Sequence, residues 1–499
     1  MQRKKLTLVI VSLLVVVLSV SLAWFTTQII GKGKDVSVTS ANLQIVFTDS
    51  DGALTETDIE PGWSATKTFT IKNDTKTEYK YNIVIKDLLN TFVTNGYLKY
   101  KITSTNGGYN MTEFKDIPKS SIATDTILAY SVVIPNGVTQ SYTIEFKYTN
   151  DESVDQSDDM GRKLSGTLFI TEGTEQPTLL TQLLADKSTV LTRTDFSKVL
   201  TNDNTKTLYT STENGTTVYY FAGNATDNWV KFGKNESNQD LYWRIIRTNA
   251  DGGVRLLYHG TSTTAENAYI GTSAFNEKYN DSMYVGYMYG TSGSLVNNRT
   301  NATNSTIKGV IDTWYKDNLN TNYGKYISTT AVYCNDRSNP AGGYNTGNTE
   351  FYYAARTRLD TNKTPSYDCA TTEDKFTADS STGNGKLTYP IALMTADEVS
   401  FAGGLTWTNA PTWYYYNSAN KSSTGTNWWL LLSPGYWDGS NAFVFSVYGS
   451  SNPGYLGNDY VNGTDGVRPA VSLKSCVKTS GGDGSAGTPY TIEETTSGC

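Results

Sequence analysis

The sequence predicts a multidomain exported chain: an N-terminal membrane helix or signal, an all-β Ig-like sandwich, and then a larger α+β domain. Three observations predict it. A basic start is followed by an uncharged run long enough to reach across a bilayer. Seven short segments of alternating polar and apolar residues then fill residues 36–172, and the remainder mixes strand pattern with few, short helical periods. At 499 residues the chain has room for about two to four domains, each with its own core.

Met1-Gln-Arg-Lys-Lys5 is a basic n-region, and Leu6 to Phe25 carries no charge, about 20 residues or roughly 30 Å as a helix. The positive-inside rule keeps Arg3, Lys4 and Lys5 in the cytoplasm and puts everything after Lys34 outside. Ser21-Leu22-Ala23 offers small residues for cleavage after Ala23. Residues 1–34 therefore read as a signal peptide or a membrane anchor, with the membrane engaged through residues 6–25. A buried core helix fits neither the flanking charge nor the terminal position.

The sandwich, residues 36–172, is read from Ala41–Phe47, Lys67–Ile71, Tyr81–Ile85, Leu98–Ile102, Leu128–Ile134, Ser141–Phe146 and Gly166–Ile170. Period-two alternation with turn residues between is the pattern of antiparallel strands half-buried on one face. Asp49-Ser-Asp-Gly52 lacks the third acidic position and closing Glu of a calcium loop, so Asp51-Gly52 reads as a hairpin turn. Glu172-Gly-Thr-Glu-Gln-Pro177 ends the strand pattern, and residues 173–198 form a linker with a short helix over Leu179 to Ala185.

Within residues 199–499, Leu241–Thr248 and Val254–Tyr258 form a hairpin across Asn249-Ala-Asp-Gly-Gly253. Ile307, Val310, Ile311 and Trp314 recur at helical spacing after Asn304-Ser305. Thr395-Ala-Asp-Glu398 is a capping box, and Gly403-Gly404 stops the helix it begins. Ala442–Tyr448, a segment from Tyr455, and Val467–Leu473 give a strand-rich end. Four cysteines, Cys334, Cys369, Cys476 and Cys499, allow three pairings in an exported chain; the local ones, Cys334–Cys369 and Cys476–Cys499, are favoured. A zinc site would need a Cys-x-x-Cys or a nearby histidine, and neither occurs.

Composition narrows function. Lys+Arg number 41 against 48 Asp+Glu, a net charge of −7, with no basic run past the N-terminus, so nucleic acid is not a partner. A single histidine, His259, makes His-based metal sites and Ser–His or Cys–His catalysis hard to build. Asp397-Glu398 resembles a carboxylate pair, but the cap explains Glu398. Gly481–Gly487 follows no strand-to-helix transition, so it makes no phosphate loop. An enzyme is not expected, and a surface hydrolase is the least favoured reading.

Two resemblances add to this. Residues from about Met1 to Thr171, with Leu22-Ala-Trp-Phe-Thr26, Glu60-Pro-Gly62 ahead of Phe69–Asn73, and Asp159-Met-Gly161 before Gly166–Ile170, resemble the camelysin and biofilm-matrix fibre proteins of Gram-positive bacteria. That resemblance implies an exported β-sandwich, in some members assembling into fibres. Leu179 to Cys499 resembles an uncharacterised surface family of gut Firmicutes through Trp243–Arg247, Tyr333–Ser338, Leu393–Glu398, Trp428–Pro434 and Gly466–Ala470. The closing pattern is similar to the C-type-lectin-like fold of the formylglycine-generating-enzyme type, which also carries the variable proteins of diversity-generating retroelements. It implies a ligand surface between Ser433 and Gly466, with hypervariable positions in that family, and Trp428, Gly466 and Arg468 as scaffold. Leu431 stands where that pattern has Arg. Those enzymes use a close cysteine pair near their cleft, whereas Cys334 and Cys369 lie far upstream of the variable stretch, so no such activity is implied.

The stretch that carries function on this reading is Tyr436, Trp437, Asp438, Ser440 and Asn441, continued by Tyr448, Ser450, Asn452, Tyr455, Asn458, Asp459 and Tyr460. Large aromatics set among Gly, Ser and Asn are the alphabet of binding loops: the rings give contact area at low entropic cost, and the small polar residues adapt hydrogen bonds. The competing reading buries Phe443, Phe445 and Val447 in a core that Tyr448, Tyr455 and Tyr460 merely line. Trp413–Tyr416 either extends the surface or packs beneath Trp428-Trp429. Asn458, Asp459 and Asp465 either ligate calcium or form turns; no cofactor is required. The expected function is a cell-surface ligand-binding or adhesion protein for a protein or glycan on another cell or host surface. The alternative is a matrix-fibre or pilus-like protein that self-assembles through the sandwich.

Overall fold

The computed structural model describes residues 26–30, 36–40, 43–49, 53–56, 59–94, 96–264, 268–344, 349–413, 416–417, 428–449 and 452–499. The run Leu6–Phe25 and Ser450 lie outside the described residues. No described helix is long and apolar enough to cross a membrane. The chain is mostly β and divides into two compact units, Met1–Gln176 and Pro177–Cys499.

Among its described residues the first unit holds eleven strands: β1 Thr26–Ile30, β2 Val36–Ser40, β3 Leu43–Asp49, β4 Ala53–Glu56, β5 Ser64–Asn73, β6 Tyr79–Asn90, β7 Leu98–Ser104, β8 Lys115–Asp116, β9 Ser120–Ile134, β10 Thr139–Tyr148 and β11 Lys163–Glu172. They form two sheets, ordered β4-β1-β11-β6-β9 and β2-β3-β5-β10-β7-β8. Alternation decides the packing: along β10 every second residue is buried, and Tyr142, Ile144 and Phe146 join Phe69 and Ile71 against Ile83, Ile85, Leu168 and Ile170 of the other sheet. Two expectations are corrected. The strands either side of Asp49–Gly52 do not pair as a hairpin, because β3 bonds to β2 and β5 while β4 bonds to β1 in the other sheet; Asp51-Gly52 itself lies outside the described residues. The pairing is also not wholly antiparallel, since β1 runs parallel to β11, which brings residues 26–30 into this unit.

In the second unit the helix α1 spans Leu179–Asp186, with Thr178 accepting at its N-terminus. The main strands are β12 Thr189–Thr192, β13 Thr207–Glu213, β14 Thr216–Tyr220, β15 Trp229–Lys234, β16 Asp240–Thr248 and β17 Val254–Gly260. Later in the chain come β18 Phe351–Tyr352, β19 Ile391–Leu393, β20 Trp429–Trp437, β21 Ala442–Val447, β22 Leu456–Tyr460, β23 Thr464–Gly466 and β24 Pro469–Leu473. The hairpin β16–β17 is the spine of a ten-stranded sheet that continues through β24 to β19. Both strands are buried almost throughout, which is why their residues read as apolar runs. A second sheet contains β23-β20-β21-β22, with β18 added to β20.

Helix α2, Thr306–Tyr315, starts where Ser305 accepts from the Lys308 amide. Its buried face is Ile307, Lys308, Ile311 and Tyr315, with Val310 and Trp314 only half-buried. The Lys308 stem packs inward while its ammonium reaches Asp312 at 2.5 Å. Helix α3, Ala396–Ala402, carries the capping box in full: Thr395 accepts from the Glu398 amide, and Glu398 accepts from the Thr395 amide.

Glu398 does more than cap. Its Oε1 accepts from Arg247 at 3.0 Å and from Arg255 at 2.7 Å, and Arg247 also reaches Glu213 at 2.8 Å. Burial pushes the Glu398 carboxyl up, but the two guanidinium groups outweigh it and hold the group below its ordinary value. Asp397 is engaged by Arg358, which also holds Asp336. Arg337, fully buried, takes Asp374, the Met288 carbonyl and Asn301. Cys334 is bonded to Cys369, and Cys476 to Cys499. His259 is fully buried against the Trp229 ring, and neither ring nitrogen has a hydrogen-bond partner among the described residues. Burial, then Arg468 and Arg244, hold its imidazole neutral, well below the ordinary histidine pKa.

Candidate functional site

The expected binding stretch is divided between strands and turns: β20 runs through Tyr436 and Trp437, and β22 through Asn458, Asp459 and Tyr460. Register then builds a row. Tyr352 on β18 stands opposite Tyr436 on β20, Tyr436 opposite Phe443 on β21, and Phe443 opposite Tyr460 on β22. Cross-strand partners share a face, so the four rings lie side by side across four strands. Tyr436 stacks on Phe443 at 4.2 Å, Phe443 meets Tyr460 at 4.3 Å, and Tyr352 meets Tyr436 edge-on at 6.1 Å.

Arg356, at the end of the short helical segment Ala354–Arg356, places its guanidinium 4.4 Å from the rings of Tyr352 and Tyr436 and 5.2 Å from Trp407. Its Nε and Nη1 are buried without a hydrogen-bond partner among the described residues. The rings therefore hold it by cation–π attraction, with Asp360 at 3.9 Å as the nearest carboxylate. Trp407 has φ +59, a left-handed conformation that costs a bulky residue roughly 1–3 kcal/mol. Its amide donates to Leu456 and its indole N–H to Asp360 at 2.8 Å, which fixes the ring against Tyr455.

Exposure sets this face apart. Tyr279, Tyr352, Trp407 and Tyr460 are the exposed large aromatics of the second unit among the described residues, at 42%, 38%, 38% and 46%. All four border β20–β22: the Tyr279 carbonyl accepts from Ala442 on β21, Tyr352 and Tyr460 belong to the row, and Trp407 is bonded to β22. An aromatic cluster of this kind, kept out of the core, is the usual mark of a contact surface.

The expected residues separate accordingly. Tyr436, Tyr455 and Tyr460 lie on or beside the row. Trp437 does not: it is 7% exposed and belongs to the core, because alternation along β20 turns it away from Tyr436. Asp438, Ser440 and Asn441 make the hairpin between β20 and β21; the Asp438 carboxylate accepts from the Ser440 and Asn441 amides and from the Asn441 side chain. Asp438 and Asn441 are thus occupied by the turn. Tyr448 stacks on Trp428 at 3.7 Å and donates to the Asn458 carbonyl. Asn452 lies in the turn before Tyr455, whose amide donates to its carbonyl. Phe443, Phe445 and Val447 are buried, and the side chains of Trp413–Tyr416 lie outside the described residues.

The three residues considered for calcium do not converge. Asn458 and Asp459 are successive on β22 and point to opposite faces. Asn458 is buried against Gly435 with no hydrogen-bond partner for its amide among the described residues. Asp459 instead meets Asp465; burial, then the neighbouring Asp459, pushes the Asp465 carboxyl up to about 8. Among the described residues no group of three or more His, Cys, Asp or Glu is placed to hold a metal.

Arg468 is fully buried, donates to the Tyr258 carbonyl and covers the Trp429 ring. A Cβ on Gly466 would meet the Tyr269 ring at 2.6 Å. Leu431 is fully buried in the apolar core. Tyr352, Arg356 and Trp407 are not marked by any local sequence pattern; they join the site from elements far along the chain.

No family model matches the sequence, and no curated protein does. A solved structure described as "AvmM Catalyzes Macrocyclization in Alchivemycin A Biosynthesis" matches over 29% of this chain and 100% of its own at 10% identity, with a TM-score of 0.16. A likeness that slight has no bearing on fold or function.

Proposed function

We propose that the protein is a bacterial cell-surface ligand-binding or adhesion protein whose second unit is the binding head. The observation that carries this reading is the gathering of the exposed aromatics of that unit around β20–β22, held in place by a strained Trp407 and a ring-bound Arg356. Extracellular placement is supported by the two disulfides and by the basic-then-apolar N-terminal sequence. We read the first unit as an Ig-like sandwich spacer and the second as a C-type-lectin-like domain; the two sheets over one core and the pattern from Trp428 to Ala470 support those readings. We read the head as binding its ligand without turning it over, since Asp397 and Glu398, the carboxylate pair in its sequence, are each held by arginines.

The test is binding of the purified, oxidised protein to arrays of glycans, proteins and whole cells, with and without a chelator. Specific binding that is lost in Tyr436→Ala and Tyr455→Ala variants supports the reading. Undiminished binding in those variants contradicts it, and loss on chelation adds a calcium requirement.

One observation favours a second reading, assembly into a fibre. Strand β9 spans 15 residues at the edge of its sheet and exposes Ile122 at 76%. A long edge strand with an unpaired side is a template for another chain. Concentration-dependent assembly of the protein that is abolished by Ile122→Lys would favour it; a monomer at every concentration would remove it.

A further inference from the structure

We infer that the aromatic row with Trp407 receives an uncharged carbohydrate, its sugar rings stacking on the indole and phenol faces and its hydroxyls donating to Asp360. This rests on the reading of the second unit as a binding head and specifies its ligand. Three observations lead there.

The first is the rigidity of the row. Each ring is set by strand register or, for Trp407, by a bonded amide, a bonded indole N–H and a constrained backbone. A platform fixed in advance loses little entropy when a ligand with many rotatable hydroxyls docks.

The second is the polar groups beside the rings. Asp360 keeps one oxygen on the Trp407 indole and directs the other toward Arg356, and Lys363 stands 4.0 Å from the same carboxylate while donating to Thr406. An acceptor and a donor at the edge of a ring face match the alternating hydroxyls of a pyranose, whose C–H face lies on the ring. The core of a protein–protein interface is instead depleted in Asp, Glu and Lys.

The third is the balance of charge. Glu350 beside the Tyr352 hydroxyl, Asp360, and Asp438 beside Tyr436 face Arg356 and Lys363. The guanidinium is already wedged between rings with two of its nitrogens buried. The face is therefore acidic on balance, and a carboxylate-bearing sugar meets repulsion that a neutral one does not.

The experiment titrates the full-length protein with cello-, xylo-, manno- and chito-oligosaccharides and, as the acidic probe, oligogalacturonate, following tryptophan fluorescence and calorimetric heat. The expected result is binding of at least one neutral series, little change with ionic strength, and no binding of oligogalacturonate. Trp407→Ala should weaken that binding about tenfold or more, and Trp407→Phe should restore part of it. A melting curve for each variant separates lost contact from lost fold. Binding of oligogalacturonate alone, or binding of a neutral series that Trp407→Ala leaves intact, overturns the inference. Binding of a protein partner through the row with no sugar bound also overturns it and leaves the binding-head reading standing. No ligand of any class on the arrays described above, from a folded protein, removes both.

Discussion

Two regions of the second unit use the same residue types to opposite ends. Around Glu398, arginines and carboxylates are buried and matched: Arg247, Arg255 and Glu213 close on one another, as do Arg358, Asp397 and Asp336. Around Trp407, an arginine lies between rings with buried nitrogens that take no hydrogen-bond partner among the described residues, and large aromatics stay in water. A buried network with each member satisfied positions strands and helices. Unspent hydrogen-bonding capacity, exposed rings and backbone strain at one place are costs to folding, and they persist where function needs them.

That contrast can be broken at several points. The largest effect is expected at Glu398→Gln, which leaves Arg247 and Arg255 buried with too little negative charge. Urea denaturation should show a loss of about 3–5 kcal/mol. A loss under about 1 kcal/mol would mean that the network is not a structural unit. Replacing both Cys334 and Cys369 by Ser opens a loop of 35 residues and should cost about 3–4 kcal/mol, with the 23-residue loop of Cys476–Cys499 costing slightly less.

The Asp459–Asp465 pair adds a pH dependence to the stability of the second unit. The Asp465 carboxyl titrates near 8 in the fold and near the ordinary carboxylate value when unfolded, so the unfolded chain releases its proton first. Stability from this group is complete below about pH 4 and lost progressively as the pH rises toward 8, at up to about 1.4 kcal/mol per pH unit. Asp465→Asn removes that loss, so the variant should match the wild type near the acid end and exceed it at the alkaline end of that window. Parallel curves across the window would show that the Asp465 carboxyl is not raised in the fold.

His259 acts in the other direction. Its imidazole is neutral in the fold, while the unfolded chain takes up a proton below about pH 6.5. Stability therefore falls as the pH drops below that point, and His259→Phe should flatten the slope between about pH 6.5 and 5. Because the chain has a single histidine, no other imidazole confuses the measurement. The smallest effect on stability is expected at Trp407→Ala, about 1 kcal/mol, since the residue is 38% exposed, lies outside the core and has a strained backbone.

Much of the fold is legible in the sequence because period and punctuation are local. Alternation marks β5, β6, β7, β9, β10 and β11, and Ser305 and the Thr395–Glu398 box mark the starts of α2 and α3. Spacing also favours the two disulfides that form. The connection after Asp49 misleads because a turn sequence does not say which sheet the next strand joins. In the candidate site, composition alone points to Tyr436, Tyr455 and Tyr460, but it draws in Trp437 as well, because composition carries no strand phase. Tyr352, Arg356 and Trp407 escape a sequence reading for a different reason: their place beside the row depends on long-range register and on one left-handed backbone angle, neither of which leaves a trace in nearby residues.

The most direct test of the central claim, that binding and stability reside in separate regions, measures both on one variant. Trp407→Ala and the wild type are compared for binding to whichever array ligand the wild type selects and for their urea unfolding midpoints. Binding is expected to fall about tenfold or more while the midpoint barely moves. Binding that persists at wild-type strength in a folded Trp407→Ala protein would contradict it.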